Sequence, residues 1–433
     1  MEIEKIRDYI ISFQKAQFPS LIPRELSISP KTTIINTLIG PRRAGKTYYF
    51  YQLMLPLDRS KVIYLNFEDI RLESILPKNF LDIVNLHIEI TGKMPEYIFL
   101  DEPQIIEGWE KGVRTLFDQH RYKIIITGSS SKLLSKEVAT HLRGRTIIHL
   151  LLPYSFNEFL IANDVKLQWP MSSEEIATTN HYLNLWLYWG GYPEVVKAGE
   201  IEKMKLLDTY KDLIVYKDII ERYRARSPLL AKLLIDHLFS AFAKEFSINS
   251  FFNVLKSRNI EVSKKTLYSY LSFIEDSMSI FLLERYSPKI KERRLSNKKV
   301  YLCDNGLVYK QGKEKSKLME NAVFLQLKRI QSLNPKINLF YWKDSKGEVD
   351  FVVMEEKEIK KLIQVTFADS RESIEEREIN SLIIASKQLK CKTLEIITWN
   401  YEGSEKISGK TIAFIPLWKW LLYGNGSLLK TKL

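Results

Sequence analysis

The sequence predicts an α/β protein whose N-terminal part is a parallel sheet flanked by helices, with further domains behind it. Three observations predict this. Short β-branched runs alternate with longer amphipathic runs through the first 150 residues, the pattern of βα units. One of these runs leads directly into Gly40-Pro41-Arg42-Arg43-Ala44-Gly45-Lys46-Thr47. Another ends in the acidic pair Asp101-Glu102.

The strands expected are Thr33–Ile39, Lys61–Asn66, Glu96–Leu100, Lys123–Thr127 and Thr146–Leu152, each bounded by Gly, Pro or charged residues. Between them lie helical patterns such as Trp109–Gln119, where Trp109, Val113, Leu116 and Phe117 form one apolar stripe. Residues 156–226 read as helical, broken at Gly190-Gly191-Tyr192-Pro193. A helix–turn–helix rhythm follows: Ser247 can cap Ile248–Ser257, and Ser263 can cap a helix running to Ile274. The end of the chain returns to mixed α/β, with a helix at Leu318–Gln331 and strands at Asn338–Trp342, Val349–Met354, Lys361–Thr366 and Thr393–Thr398.

Composition narrows the class. With 45% hydrophobic and 27% charged residues the 433-residue chain is a folded protein, not a fibrous or low-complexity one. Two distant cysteines, Cys303 and Cys391, supply neither a disulfide framework nor a zinc site. No run is long and apolar enough to span a bilayer, and the acids among the first bases exclude a signal peptide, so a cytoplasmic setting without membrane contact is expected. The net charge of +13 leaves nucleic acid, another polyanion or simple solubility open.

The 40–47 segment fits G-x-x-x-x-G-K-[ST] after a strand. Its glycines let the backbone curl so that N–H groups face inward as an anion nest at a helix N-terminus. Gly40, Pro41, Arg42, Arg43, Ala44 and Gly45 would cradle the phosphates of ATP, Lys46 would reach the outer phosphates, and Thr47 would bind Mg²⁺. Asp101 would join Thr47 on Mg²⁺, and Glu102 would orient and deprotonate the attacking water. Taken alone, an acidic pair after a strand reads as a helix cap; one strand–helix unit after a phosphate loop it reads as ATP hydrolysis. Thr127 and Ser129, at the end of the next strand, are candidates to sense the γ-phosphate, against an ordinary Gly/Ser turn. Arg143 and Arg145 could reach the γ-phosphate of a neighbouring subunit, or could simply be surface arginines before a strand.

These residues carry a resemblance. Gly40–Thr47, Leu65-Asn66-Phe67-Glu68-Asp69, Phe99-Leu100-Asp101-Glu102, Gly108-Trp109-Glu110, Thr127-Gly128-Ser129-Ser130-Ser131, Leu142-Arg143-Gly144-Arg145, Pro153-Tyr154-Ser155-Phe156-Asn157-Glu158-Phe159 and Gly190-Gly191-Tyr192-Pro193-Glu194 occur in order. Together they resemble the bacterial and archaeal AAA-type ATPases that end in a domain of unknown function. The resemblance implies a P-loop NTPase parallel sheet of the AAA type, a helical lid, a winged-helix segment and a C-terminal α/β restriction-endonuclease-like domain. Placed on this chain, these are 1–155, 156–227, 228–290 and 291–433. Pro103 departs from the family pattern, in which an aliphatic residue commonly follows the acidic pair.

Two features of the C-terminal half bear on nucleic acid. Residues 228–300 hold 13 Lys+Arg and 7 Asp+Glu, much of the excess in Lys289, Lys291, Arg293, Arg294, Lys298 and Lys299. With Lys264, Lys265 and Tyr268 on the second helix, this strip could neutralise DNA phosphates, or the winged helix could bind protein. Further on, Glu320, Gly347-Glu348-Val349-Asp350 and Gln364-Val365-Thr366 are similar to a PD-(D/E)xK nuclease core. There Gln364 stands where an acid is expected and Thr366 where a lysine is, so Glu320, Asp350 and Gln364 read as a degenerate site. The expectation is a Mg²⁺-dependent, homo-oligomeric ATPase acting on DNA. The alternatives are an ATP-regulated nuclease, or a regulatory NTPase with a protein partner.

Overall fold

The computed structural model describes residues 2–29, 33–128, 144–310 and 314–424, so Ser129 and Arg143 lie outside the described residues. The chain forms two compact units, Met1–Pro153 and Tyr154–Leu433.

The first unit is built on β1 (Ile35–Ile39), β2 (Val62–Asn66), β3 (Tyr97–Asp101), β4 (Lys123–Gly128) and β5 (Thr146–Leu150). Their ends differ from the sequence expectation by no more than two residues. All neighbours are parallel, in the order β2-β3-β4-β1-β5. β1 and β3 are buried along their whole length, as strands covered on both faces are, and the polar Asn36 and Thr37 of β1 meet His149 and Thr146 of β5. Inserting β4 between β1 and β3 leaves a crevice at the carboxyl ends of β1 and β3, where an open parallel sheet binds ligands.

Helix α1 (Ile3–Lys15) buries Ile6, Tyr9, Ile10 and Phe13 along one stripe. Its Tyr9 hydroxyl accepts the Asn66 N–H at 2.9 Å and so pins the end of β2. Helix α2 (Lys46–Met54) buries Tyr49, Phe50 and Met54, and Phe50 meets Phe99 of β3 edge-to-face at 5.1 Å. Helices α3 (Phe80–Thr91) and α4 (Trp109–Phe117) complete the cover, α4 ending two residues short of the expected Gln119.

The second unit begins with α5 (Phe156–Ala162) and α6 (Ser173–Trp189), each opened by a capping box, Ser155 with Glu158 and Ser172 with Glu175. Chain reversal at Gly190-Gly191 leads to α7 (Pro193–Lys197) and α8 (Glu200–Leu213), which continues as a π-helical stretch, Ile214–Glu221. A Cβ on Gly190 would lie 1.6 Å from Asp304 Oδ1 and one on Gly191 2.3 Å from the Tyr154 carbonyl oxygen, while Asp304 Oδ2 accepts the Gly191 N–H at 2.7 Å. Oδ1 also accepts the Gly306 N–H at 2.8 Å.

Next come α9 (Pro228–Ser240), α10 (Ile248–Ser257) and α11 (Lys264–Asp276). Ser263 caps α11 through the Thr266 N–H at 3.0 Å, whereas Ser247 makes no side-chain cap to α10. A three-stranded antiparallel sheet, β6 (Glu245–Phe246), β8 (Lys298–Leu302) and β7 (Ile280–Leu283), accompanies these helices. Between β7 and β8 lies the short α12 (Ile290–Leu295).

The last part is a six-stranded mixed sheet. It comprises β9 (Ile337–Lys343), β10 (Glu348–Glu355), β11 (Glu358–Val365), β12 (Leu394–Thr398), β13 (Gly403–Ile407) and β14 (Lys410–Pro416), in the order β13-β14-β12-β11-β10-β9. Helix α13 (Lys315–Leu333) packs against β9 and β11, and α14 (Glu376–Leu389) against β10 and β11. Phe340, Val352, Leu362, Leu382, Ile396 and Phe414 belong to one buried core there. A short α15 (Leu417–Tyr423) ends the described chain. Among the described residues no helix is long and apolar enough to cross a membrane.

Candidate nucleotide site and a buried ion cluster

The turn after β1 is shaped by close approach and by left-handed backbone. A Cβ on Gly40 would fall 2.0 Å from the Leu151 carbonyl oxygen, so only glycine lets β1 exit beside the end of β5. Arg43 (φ 64°) and Gly45 (φ 91°) both take positive φ and bring the loop back to the start of α2. Lys46 is buried inside this loop, where its ammonium donates to the carbonyls of Gly40 and Pro41 at 3.1 Å each and lies 3.8 Å from Glu102 Oε1. Arg42 is 3.9 Å from Glu68 at the loop's outer side.

The acidic pair ends β3 beside this loop. Asp101 is 1% exposed, and its Oδ2 accepts from the Thr47 hydroxyl at 2.7 Å and from Tyr64 at 3.2 Å. Its Oδ1 accepts from the Thr127 hydroxyl, which in turn accepts the Glu102 N–H at 3.2 Å. Burial pushes the Asp101 carboxyl above its ordinary value, with Glu102 adding to this and the Thr127 and Thr47 hydroxyls and Lys46 opposing it. Glu102 sits at φ 53°, a left-handed turn that carries its side chain toward Lys46, and its Oε2 accepts from Gln104. The sheet thus brings Lys46, Thr47, Asp101, Glu102 and Thr127 to one end. Thr47 and Asp101 supply only hard oxygen donors, the set that suits Mg²⁺.

Arg145 is elsewhere. It precedes β5 at the amino end of the strands, opposite the end that carries the phosphate loop, and its carbonyl accepts the Ile35 N–H at the start of β1. Its guanidinium lies 5.5 Å from the Phe117 ring centre and 3.8 Å from Asp118. A whole strand length separates it from the phosphate loop of the same chain.

Arg24 is a residue that sequence reasoning missed. Its guanidinium donates to the Ala44 carbonyl at 2.9 Å and to the Leu152 carbonyl at 2.5 Å, tying the phosphate loop to the end of β5. The segment behind it is held by Tyr49, which donates to Leu26 O at 2.8 Å and accepts from Ile28 N at 3.1 Å. No local pattern marks Arg24, because its partners are backbone carbonyls 20 and 128 residues away.

In the second unit Glu320, Asp350 and Gln364 do come together. Asp350 Oδ2 accepts the Val365 N–H at 3.0 Å, and Gln364 Oε1 accepts the Asp350 N–H at 3.3 Å. The centre of the cluster is Lys299 of β8, which the sequence counted in the basic strip that could meet DNA phosphates. It is 3% exposed, and its ammonium lies 2.7 Å from Glu348 Oε1, 2.9 Å from Asp350 Oδ1 and 3.1 Å from Glu320 Oε1. Burial acts to lower the ammonium's pKa, but the Asp350, Glu320 and Glu348 carboxylates outweigh it and hold the value well above the ordinary one. Burial raises Glu320 to about 7, with Asp350 adding to the shift, although Tyr301 donates to Glu320 at 2.7 Å. Glu378 on α14 is likewise raised to about 7 by burial.

Other members of the basic strip are also engaged. Lys289 pairs with Glu292 at 2.9 Å, Lys298 with Glu284 at 3.6 Å, and Arg293 lies over Phe340 at 5.2 Å. Lys264, Lys265 and Tyr268 of α11 are exposed, with the Lys264 ammonium 5.2 Å from the Phe252 ring centre.

The strand order and the loop after β1 define the first unit as a P-loop domain of the AAA type, and the comparisons agree. Residues 32–160 match the AAA domain family, while 180–317 and 315–420 match two domains of unknown function, DUF8612 and DUF4143. An uncharacterized protein of Methanocaldococcus jannaschii is 37% identical over 446 residues, covering 98% of this chain and 99% of its own. An uncharacterized protein of Haemophilus influenzae is 30% identical over 401 residues, covering 89% and 94%. The chain belongs to the family of these two proteins and is an ATPase of the AAA type. Solved structures with some similarity include AMPPCP-bound DnaA from Aquifex aeolicus, with a TM-score of 0.24 and 11% identity over 63% of this chain and 92% of that one. Another is Cdc6p from Pyrobaculum aerophilum, with a TM-score of 0.25 and 12% identity over 75% and 93%.

Proposed function

We propose that the chain is a Mg²⁺-dependent ATP hydrolase that works as a homo-oligomer and couples turnover to DNA. The observation that carries the hydrolase reading is the convergence of Lys46, Thr47, Asp101 and Glu102 at the carboxyl end of the sheet. Backbone N–H groups of residues 42–45 and the Lys46 ammonium bind the phosphates, while Pro41, which has no N–H, only shapes the loop. Thr47 and Asp101 would hold Mg²⁺, which when bound neutralises phosphate charge. Glu102 orients the attacking water and accepts its proton. Thr127, fully buried, fixes the Asp101 carboxylate and the Glu102 amide, so that both acids keep their aim.

Support for DNA is narrower. It rests on α11, which exposes Lys264, Lys265 and Tyr268 beside the small sheet, the arrangement a winged helix would use. The internal pairing of Lys289, Lys298 and Lys299 favours a second reading, in which this module binds protein. The deciding experiment measures ATP turnover with single-stranded, duplex and branched DNA at two salt concentrations. Stimulation by one form that weakens as salt rises supports the DNA reading; turnover and binding indifferent to all three support the protein module. Loss of turnover in Lys46→Ala is expected, and undiminished turnover would refute the hydrolase site.

A further inference from the structure

Glu320, Asp350 and Gln364, which the sequence resemblance groups as a nuclease-like core, meet on the C-terminal sheet, yet the donor set does not fit a metal ion. A divalent cation held by Asp350 and Glu320 needs their facing oxygens. Those oxygens, Asp350 Oδ1 and Glu320 Oε1, both lie on Lys299 Nζ. The second Asp350 oxygen accepts the Val365 N–H, and the Gln364 carbonyl, the remaining oxygen of the motif, accepts the Asp350 N–H. Among the described residues no three His, Cys, Asp or Glu side chains are placed to hold a metal ion.

We infer that the Lys299 ammonium permanently occupies the cation position of this cluster, making the C-terminal domain a metal-free ion cluster that does not cleave phosphodiesters. An ammonium has three N–H donors and no acceptor. Here three carboxylates, from Glu320, Glu348 and Asp350, face it within 3.1 Å, so each donor has an acid to meet. A buried ion group is tolerated when it is paired and hydrogen-bonded in this way, and removing one member leaves uncompensated charge. The lysine comes from β8 of the small sheet while the acids come from α13 and β10, so the cluster also fastens these elements together. It carries a charge that the position two residues after Gln364, Thr366, does not. The inference is independent of the nucleotide site, and its test does not read ATP turnover.

The test is Mn²⁺ binding to the full-length protein, followed by electron paramagnetic resonance. Wild type and Asp350→Asn should bind the same number of Mn²⁺ ions, because the cluster takes none. Lys299→Met, which removes the ammonium and keeps the chain length, should gain one Mn²⁺ that Lys299→Met/Asp350→Asn lacks. A Mn²⁺ equivalent in wild type that disappears in Asp350→Asn would overturn the inference. So would Mg²⁺- or Mn²⁺-dependent DNA cleavage abolished by Asp350→Asn, or a folded Lys299→Met that gains no ion. The wild-type and Asp350→Asn comparison decides the question even where Lys299→Met fails to fold.

Discussion

The Thr47 hydroxyl donates to Asp101 Oδ2 across 2.7 Å, although the two residues are 54 positions apart in the chain. One opens α2 and the other closes β3, so the contact exists only because β4 inserts between β1 and β3 and leaves their carboxyl ends facing a common crevice. The parallel sheet is therefore what turns two separate motifs into one site.

Binding and chemistry should separate at Lys46 and Glu102. Lys46→Ala removes the ammonium within the loop and should abolish both ATP binding and turnover. Glu102→Gln keeps the shape of the side chain, so ATP should still bind, while turnover falls by about 10²–10⁴-fold. Equilibrium binding of a fluorescent ATP analogue alongside a phosphate-release assay checks both.

Arg24 should matter for affinity without touching nucleotide. Arg24→Met deletes two charge-assisted hydrogen bonds to the Ala44 and Leu152 carbonyls. At about 1.5–3 kcal/mol for such bonds, the loosened loop should bind ATP roughly tenfold to a hundredfold more weakly. Calorimetric titration would show this as a change in Kd, with turnover at saturating ATP nearly preserved.

Gly40→Ala places a methyl 2.0 Å from the Leu151 carbonyl oxygen. Neither strand end can yield without losing its ladder bonds, so the variant should lose about 1–3 kcal/mol of stability, read as a lower thermal midpoint.

Complementation tests whether Arg145 serves a neighbour, since it lies at the amino end of the strands, away from its own phosphate loop. Arg145→Ala and Lys46→Ala should each be inactive alone, the first with unchanged ATP affinity. Mixed before assembly, they should recover turnover, because a Lys46→Ala subunit still offers its arginine to an intact site. No recovery in co-purified mixed assemblies would remove Arg145 from the active site.

His87 predicts an acid limit for the first unit. The ring is fully buried, with Nε2 2.9 Å from Ser60 O, and burial holds its pKa below 6.5. The unfolded chain then takes up the proton first, so stability is full above about pH 6.5 and declines as pH falls below it. Urea midpoints between pH 7.5 and 5.5 should show this decline, and His87→Phe should flatten it.

Much of the first unit was legible because its logic is local. Most of its strands are runs of apolar and β-branched residues, and the loop and acidic pair are contiguous motifs whose chemistry dictates where they sit. In the second unit, α10, β10 and β12 fell close to expectation for the same reason. The hairpin of β13 and β14 did not, because β13 is a polar edge strand; the signal was Ser408-Gly409, both at positive φ, the two-residue turn such a hairpin uses. Lys299 misled for a different cause. In sequence it is one more lysine in a basic run, and only the pairing of β8 turns it inward among acids. Arg24 is invisible for the reason given by its partners, which are carbonyls rather than side chains.

Asp304 and the glycines at 190, 191 and 306 share a fate that none has alone. The carboxylate fills the volume that a side chain at 190 would need, and it is the acceptor for two backbone amides that would otherwise be buried without one. A side chain at 190 is excluded twice, by the carboxylate and by its own φ of +80°, and one at 191 by the Tyr154 carbonyl oxygen 2.3 Å away. Lineages that keep the aspartate must keep glycine at 190, whereas a lineage that lost the aspartate would still need both glycines for the turn itself.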